Sequence, residues 1–128
     1  MTYSSLKKEL KENNYAVAAT DAMGVIIEAN KKFLELTGYT LDELRNLAYT
    51  DITPDCWTVF ENHKVIKEVF SEGSSHYQKE YITKSKQVIP IDIQVSLVEN
   101  TTSTKIKMWA LVKPIETLSS TYKKIKEG

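Results

Sequence analysis

Chemistry in this chain would have to rest on one cysteine, two histidines and a scatter of carboxylates. Cys56 stands in Pro54-Asp55-Cys56-Trp57 with no histidine close in sequence to take its proton. It reads as a small, partly buried thiol rather than a nucleophile. His63 and His76 are far apart, and no run of cysteines or carboxylates completes a metal set around either. Asp21, Asp51, Asp55 and Asp92 fall where turns and helix caps are expected, not at spacings that pair a general acid with a base. The four glycines form no phosphate-cradling loop. These residues predict no catalysis within the chain, and they leave binding and signalling as the classes to weigh.

Charge narrows the partners. Lys plus Arg number 17 and Asp plus Glu number 17, so the basic excess that drives phosphate neutralisation is missing and nucleic acid is not expected. Lys123, Lys124 and Lys126 are offset by Glu116 and Glu127 and read as a solvated helix face. A length of 128 residues fits one domain, and a hydrophobic share of 41% excludes disorder for its body. No apolar run approaches the length of a membrane span, and no signal-peptide block opens the sequence. A single cysteine forbids an intramolecular disulfide and fits a reducing, cytoplasmic setting.

The elements that would position these residues follow from periodicity. Residues 2–13 predict an amphipathic helix with Tyr3, Leu6 and Leu10 on one face and Asn13-Asn14 as its stop. Residues 15–20 and 25–29 predict two strands around the turn Asp21-Ala22-Met23-Gly24. Asn30 caps a helix that carries Phe33, Leu34 and Leu36 and ends at Gly38. Thr40 and Glu43 form a capping box for a short helix over 41–46. Thr53-Pro54-Asp55, with Pro54 at the first helical position, starts a long helix that runs to about Ser71. Its buried stripe is read as Val59, His63, Ile66 and Phe70, widened by Phe60, Val65 and Val69. The period then becomes two, for strands over 77–83, 89–97 and 106–112, with polar turns at 84–87 and 99–104. Residues 114–127, opened by Pro114, predict a helix leaving the sheet with Ile115, Leu118, Tyr122 and Ile125 on its seam. Strands, then helices, then strands suggest an antiparallel sheet with helices gathered on one face. An unrelated two-layer α/β fold stands as the alternative.

Asp21, Gly24, Ile26, Asn30, Phe33, Thr37-Gly38-Tyr39 and Glu43-Leu44, in this order and followed by one long helix and three strands, resemble the start of a PAS domain. The resemblance covers residues 13–113. It implies an α+β fold with a five-stranded antiparallel sheet in the order 2-1-5-4-3 and helices enclosing a pocket on one face. Residues 1–13 would be an N-terminal flanking helix, 14–113 the sensory domain and 114–128 a C-terminal exit helix. The implied role is sensory input to a signalling protein, such as a histidine kinase or transcription regulator. A small ligand or dimerisation would reposition the exit helix, and a downstream signalling domain would be the partner.

Fold alone does not fix a ligand. Counting from Gly38 to the place where flavin photosensors of the family carry their reactive cysteine lands on Tyr49, with Cys56 too late, so covalent flavin chemistry is not expected. Haem is not expected either, because neither His63 nor His76 stands where the family's axial ligand would. The cofactor stays unassigned. The Asp-Ile-Thr-like ending of many PAS domains is replaced by Lys113-Pro114-Ile115-Glu116, so another contact must couple sheet to exit helix. Candidate pocket residues are Val17, Ile27, Phe33, Leu36, Trp57, Ile66, Phe70, Tyr81, Met108 and Trp109. Tyr81 and Trp109 are of most interest for their polar tips. A one-residue slip in strand parity would invert part of this set. Tyr3, Leu6 and Leu10 are candidates for a homodimer contact, with packing onto their own sheet as the alternative. A ligand-free dimerisation module is the competing function.

Overall fold

The computed structural model describes residues 2–12, 14–98 and 105–128, with Tyr3 placed by its backbone only. The element order is α1 (Tyr3–Glu12), β1 (Ala16–Thr20), β2 (Ile26–Ala29), α2 (Lys31–Thr37), α3 (Leu41–Leu44), a 3-10 turn (Tyr49–Ile52), α4 (Asp55–Phe60), a π turn (Glu61–Val65), α5 (Ile66–Glu72), β3 (Ser74–Ile82), β4 (Val88–Leu97), β5 (Met108–Pro114) and α6 (Ser120–Glu127). The five strands form one antiparallel sheet in the order β2-β1-β5-β4-β3. The expected stop at Asn13 and the loop over 99–104 lie outside the described residues.

Local chemistry fixes the first half. The Asp21 carboxylate accepts from the N–H groups of Met23 and Val25 at 2.9 and 3.0 Å, which closes the β1–β2 turn. Gly24 completes it at φ +85°, and a Cβ there would stand 2.6 Å from the Tyr49 ring. The glycine therefore serves both the turn and the seat of a tyrosine from a later element. Asn30 does more than cap α2: Oδ1 accepts from Phe33 N at 3.0 Å and from Val17 N at 2.9 Å, while Nδ2 donates to the Tyr15 carbonyl at 2.8 Å. One side chain thus joins helix start to first strand. Gly38 ends α2 in the left-handed region, and Thr40 with Glu43 forms the full capping box of α3.

The sheet buries both faces. One face meets α2 through α5 with Ala16, Ala18, Ile26, Phe33, Tyr77, Tyr81, Ile91, Ile93 and Val112 in the core. The other is covered by α1, where Leu6 is wholly buried with Val17, Ala19, Val98 and Ile106, and Leu10 packs alongside. Because β1 is buried on both sides, its alternation carries no inside-outside signal.

Three expected features are corrected. Pro54 is the residue before α4 rather than its first helical position. The long helix is interrupted by the π turn, and its buried line is Trp57, Glu61, Val65 and Val69, while Val59 and Phe70 are 58% and 63% exposed and His63 is exposed with them. A step of four residues overshoots a regular α-turn by about 40°, so these four positions would fan out along an ordinary helix. The π turn takes more residues per turn and draws them back toward one line. Finally, β5 runs through Pro114, and the exit helix begins only at Ser120.

Candidate functional site

The π turn delivers a carboxylate into the core. Glu61 is buried on the sheet side of the helix, opposite Lys79 of β3, whose side chain is 1% exposed. The Lys79 ammonium donates to both Glu61 oxygens at 3.1 and 3.0 Å and to the Thr53 hydroxyl at 3.1 Å. All three of its N–H groups are thereby used. Thr53, read from sequence as a helix cap, turns its hydroxyl inward and donates to the Tyr49 carbonyl at 2.7 Å. The Tyr77 hydroxyl donates to Glu61 Oε2. The ammonium also lies 5.3 Å from the Tyr49 ring centre and 4.9 Å from that of Tyr81, where the negative faces of the rings favour a cation.

Burial governs the electrostatics. It lowers the Lys79 pKa, against the opposing pull of Glu61. It raises the Tyr77 hydroxyl well above its ordinary range, and the Glu61 charge and hydrogen bond push the same way. It raises Tyr81 strongly, again with help from the Glu61 charge. Both phenols stay protonated and remain donors.

These groups form one end of a cavity of about 50 Å³ between the sheet and the long helix. The remaining wall is mostly apolar: Ala18, Ile26, Phe33, Val65, Ile66, Ile93, Val95, Met108 and Ala110, with Thr20 and a border at Trp109. Phe33 meets Tyr81 edge-on at 5.8 Å. Tyr49 reaches the wall because its ring rests on Gly24 and its N–H donates to the Gly24 carbonyl at 2.9 Å.

Of the residues singled out in sequence, Phe33, Ile66, Tyr81, Met108 and Trp109 border the cavity. Val17 and Ile27 do not; they face the α1 side, one residue out of phase with Ala18 and Ile26. Trp109 also packs against the α1 side. Leu36 lines surface clefts beside α2. Trp57 is buried but spends its indole N–H on Glu80 at 3.0 Å. Phe70 points outward. Leu6 and Leu10 are occupied by their own sheet, and the Tyr3 side chain lies outside the described residues. Sequence reading missed Glu61 and Lys79, since buried charges look like surface residues. A hint was available: Tyr77, Lys79 and Tyr81 share one strand face, so a lysine sits between two aromatic residues.

Neither Cys56 nor either histidine borders the cavity. Cys56 is away from the cavity, near Glu80 and Lys126, with its pKa raised by burial. His63 is exposed, and His76 pairs with Asp92 at 2.6 Å outside the cavity.

The exit segment returns to this site instead of leaving the sheet. Ser119 N–H donates to the Gln78 side chain at 2.7 Å, and Lys126 bonds Glu80 at 2.8 Å. Tyr122 meets Phe60 edge-on at 6.2 Å, and Phe60 in turn meets Tyr77 at 5.9 Å. Phe60 directly precedes Glu61. Glu80 holds Trp57 with one oxygen and the exit helix with the other.

A family model described as a PAS domain matches residues 13–112. No curated protein sequence matches the chain. Among solved structures, the PAS domain of a Colwellia psychrerythraea protein superposes with TM-score 0.75 at 18% identity, covering 88% of this chain and 95% of that one. A domain of a sensory box sensor histidine kinase/response regulator from Geobacter sulfurreducens gives TM-score 0.69 at 12% identity, covering 86% and 91%. The PAS domain, in complex with ethanol, of a LuxR-family transcriptional regulator from Burkholderia thailandensis gives 0.68 at 9% identity, covering 91% and 100%.

Proposed function

The chain belongs to the PAS domain family, a sensory signalling module, and from that premise we propose that it senses a small molecule held in the cavity and reports occupancy through α6. The observation that carries this reading is the contact chain Glu61, Phe60, Tyr122. The polar end of the cavity adjoins the residue on which the exit helix rests. A ligand that alters the Glu61–Lys79 pair moves the helix turn carrying Phe60. It biases α6 only to the extent that it prefers one pose over the other. The Glu80 bridge between Trp57 and Lys126 supplies a polar sheet-to-exit contact, the job left open by Lys113-Pro114-Ile115-Glu116.

The ethanol complex of the Burkholderia domain supports the idea that this fold can hold a ligand of very few atoms. The likeness to the Geobacter domain supports an output of the histidine kinase or regulator type, joined to the exit helix. Binding, not catalysis, is the role assigned to the chain. A cytoplasmic setting belongs to the same reading, supported by the single free Cys56. Among the described residues, no helix is long and apolar enough to cross a membrane. A homodimer is carried as part of the proposal without an assigned interface, because Leu6 and Leu10 are spent on the sheet.

The test is to fill the cavity from within. Ala110→Leu places added methyl groups at the β5 wall. Amide hydrogen exchange should change across Ser120–Glu127 while α1, on the other sheet face, keeps its rates. Unchanged exchange in α6 with the cavity demonstrably filled would remove the coupling.

A further inference from the structure

The hydrogen-bond inventory at the polar end of the cavity restricts what the ligand can be. The Lys79 ammonium has no donor left, since Glu61 and Thr53 take all three. An anion would therefore find no unspent cation among the described lining residues, and a cation would compete with Lys79 for a carboxylate already paired. Either would also lose its hydration on entry. Glu61 accepts from Lys79 twice and from Tyr77 once, which leaves one of about four lone-pair positions open. The Tyr81 hydroxyl has no hydrogen-bond partner among the described residues, although its residue is 3% exposed. Its ring lies 4.9 Å from the Lys79 nitrogen, so the open acceptor residue and the unused donor residue share one end of the cavity.

Resting on the cavity reading above, we infer that the ligand is a short neutral alcohol. Its hydroxyl donates to Glu61 and accepts from Tyr81, and its chain lies along Val65, Ile93, Val95 and Met108. A single hydroxyl is the smallest group that both donates and accepts. A ketone only accepts, and a hydrocarbon leaves the Tyr81 donor unmet. The volume of about 50 Å³ sets the size. At roughly one water per 10–15 Å³ it has room for about four non-hydrogen atoms. A tyrosine at position 81 also makes sense on these terms, since phenylalanine would fill the same apolar wall without a buried donor to satisfy.

The experiment titrates the intact chain with 1-propanol, acetone, propionate, propylammonium and xenon, following NMR shifts of the Val65, Ile93, Val95 and Met108 methyl groups. Expected is saturable binding of 1-propanol at least about tenfold tighter than acetone, roughly the worth of one or two net hydrogen bonds. The charged analogues should not bind. Tyr81→Phe should weaken 1-propanol and acetone together, since both accept from that hydroxyl, while the preference for the alcohol, which rests on donation to Glu61, persists and xenon still enters. The variant sacrifices no protein–protein hydrogen bond, so a folding defect is not built into it. Acetone or an ion binding as tightly as the alcohol, with xenon also bound, would overturn the ligand class and leave the cavity reading intact. If no probe, xenon included, perturbs the lining methyls, the cavity reading fails and the ligand class goes with it.

Discussion

The two faces of one sheet are built on opposite terms. Under α1, Leu6, Val17, Ala19, Val98 and Ile106 close an apolar layer. Across the same strands, one residue out of phase, the layer under the long helix contains a cavity and a buried ion pair ringed by tyrosines. Burying two charges costs several kcal/mol per ion before their attraction repays it, and well-packed apolar residues of similar volume often do as well or better. The cavity also forfeits dispersion contacts that a filled core would make. The α1 face is thus arranged for stability, and the inner face keeps polarity and space that stability does not ask for. Such departures from a consistent apolar core are where function is expected.

Breaking the ion pair should have the largest effect. Glu61→Leu strands the Lys79 ammonium in the core and is expected to cost about 3–5 kcal/mol in urea denaturation. Adding Lys79→Met to the same chain should recover most of that loss. A single variant costing less than about 1 kcal/mol would mean the charges are hydrated and the contrast between the faces is false. Next in size is Leu6→Ala on the opposite face, expected to cost about 3 kcal/mol as transfer plus cavity terms. Xenon affinity for the inner cavity should not move, since the sheet separates the two sites.

The third effect is a pH dependence that belongs to the inner face. Tyr77 and Tyr81 hold their protons more tightly folded than unfolded, so their contribution is complete below pH 10 and is lost as pH rises above it. Lys79, with a lowered pKa, works the other way, adding stability with rising pH only up to its ordinary 10.5. Beyond that point the unfolding free energy should fall by about 1.4 kcal/mol per pH unit for each of the two phenols. Tyr81→Phe should remove one phenol's share of the slope, with the raised Tyr49 and Tyr122 adding shares of their own, and a flat profile between about pH 10.5 and 11.5 would show that the phenols are not buried.

The same contrast explains what could be read from the sequence. Asn30 in its cap, Gly38, Thr40 with Glu43, and Asp21 with Gly24 act on backbone groups a few residues away, so local spacing identifies them, whereas the strand order was implied by the PAS resemblance those residues carry. The site was legible only in part. Phe33, Tyr81 and Met108 lie on the inner wall as their patterns suggest. Val17 lies on the α1 side because β1 is apolar on both faces and gives no parity, and Ile27 because adjacent Ile26 and Ile27 on β2 offer two equivalent choices. On the long helix, Val59 and Phe70 outbid Glu61 for the buried stripe, since hydrophobic periodicity treats a buried carboxylate as surface. The π turn then shifts the face by an amount that a regular helical period cannot show. Leu118 and Tyr122 kept their apolar rhythm, but nothing in a heptad says whether the partner is a second helix or α4 of the same chain.

Linkage makes the coupling between the cavity and α6 reciprocal: whatever the occupant does to the helix, the helix must do to the occupant's affinity. The direct measurement is xenon affinity in the wild-type chain and in Tyr122→Ala, with hydrogen exchange confirming that α6 has come off Phe60. A change of about fivefold or more is predicted. Equal affinities with the exit helix released would leave a cavity that α6 does not sense, and the proposed coupling would fall.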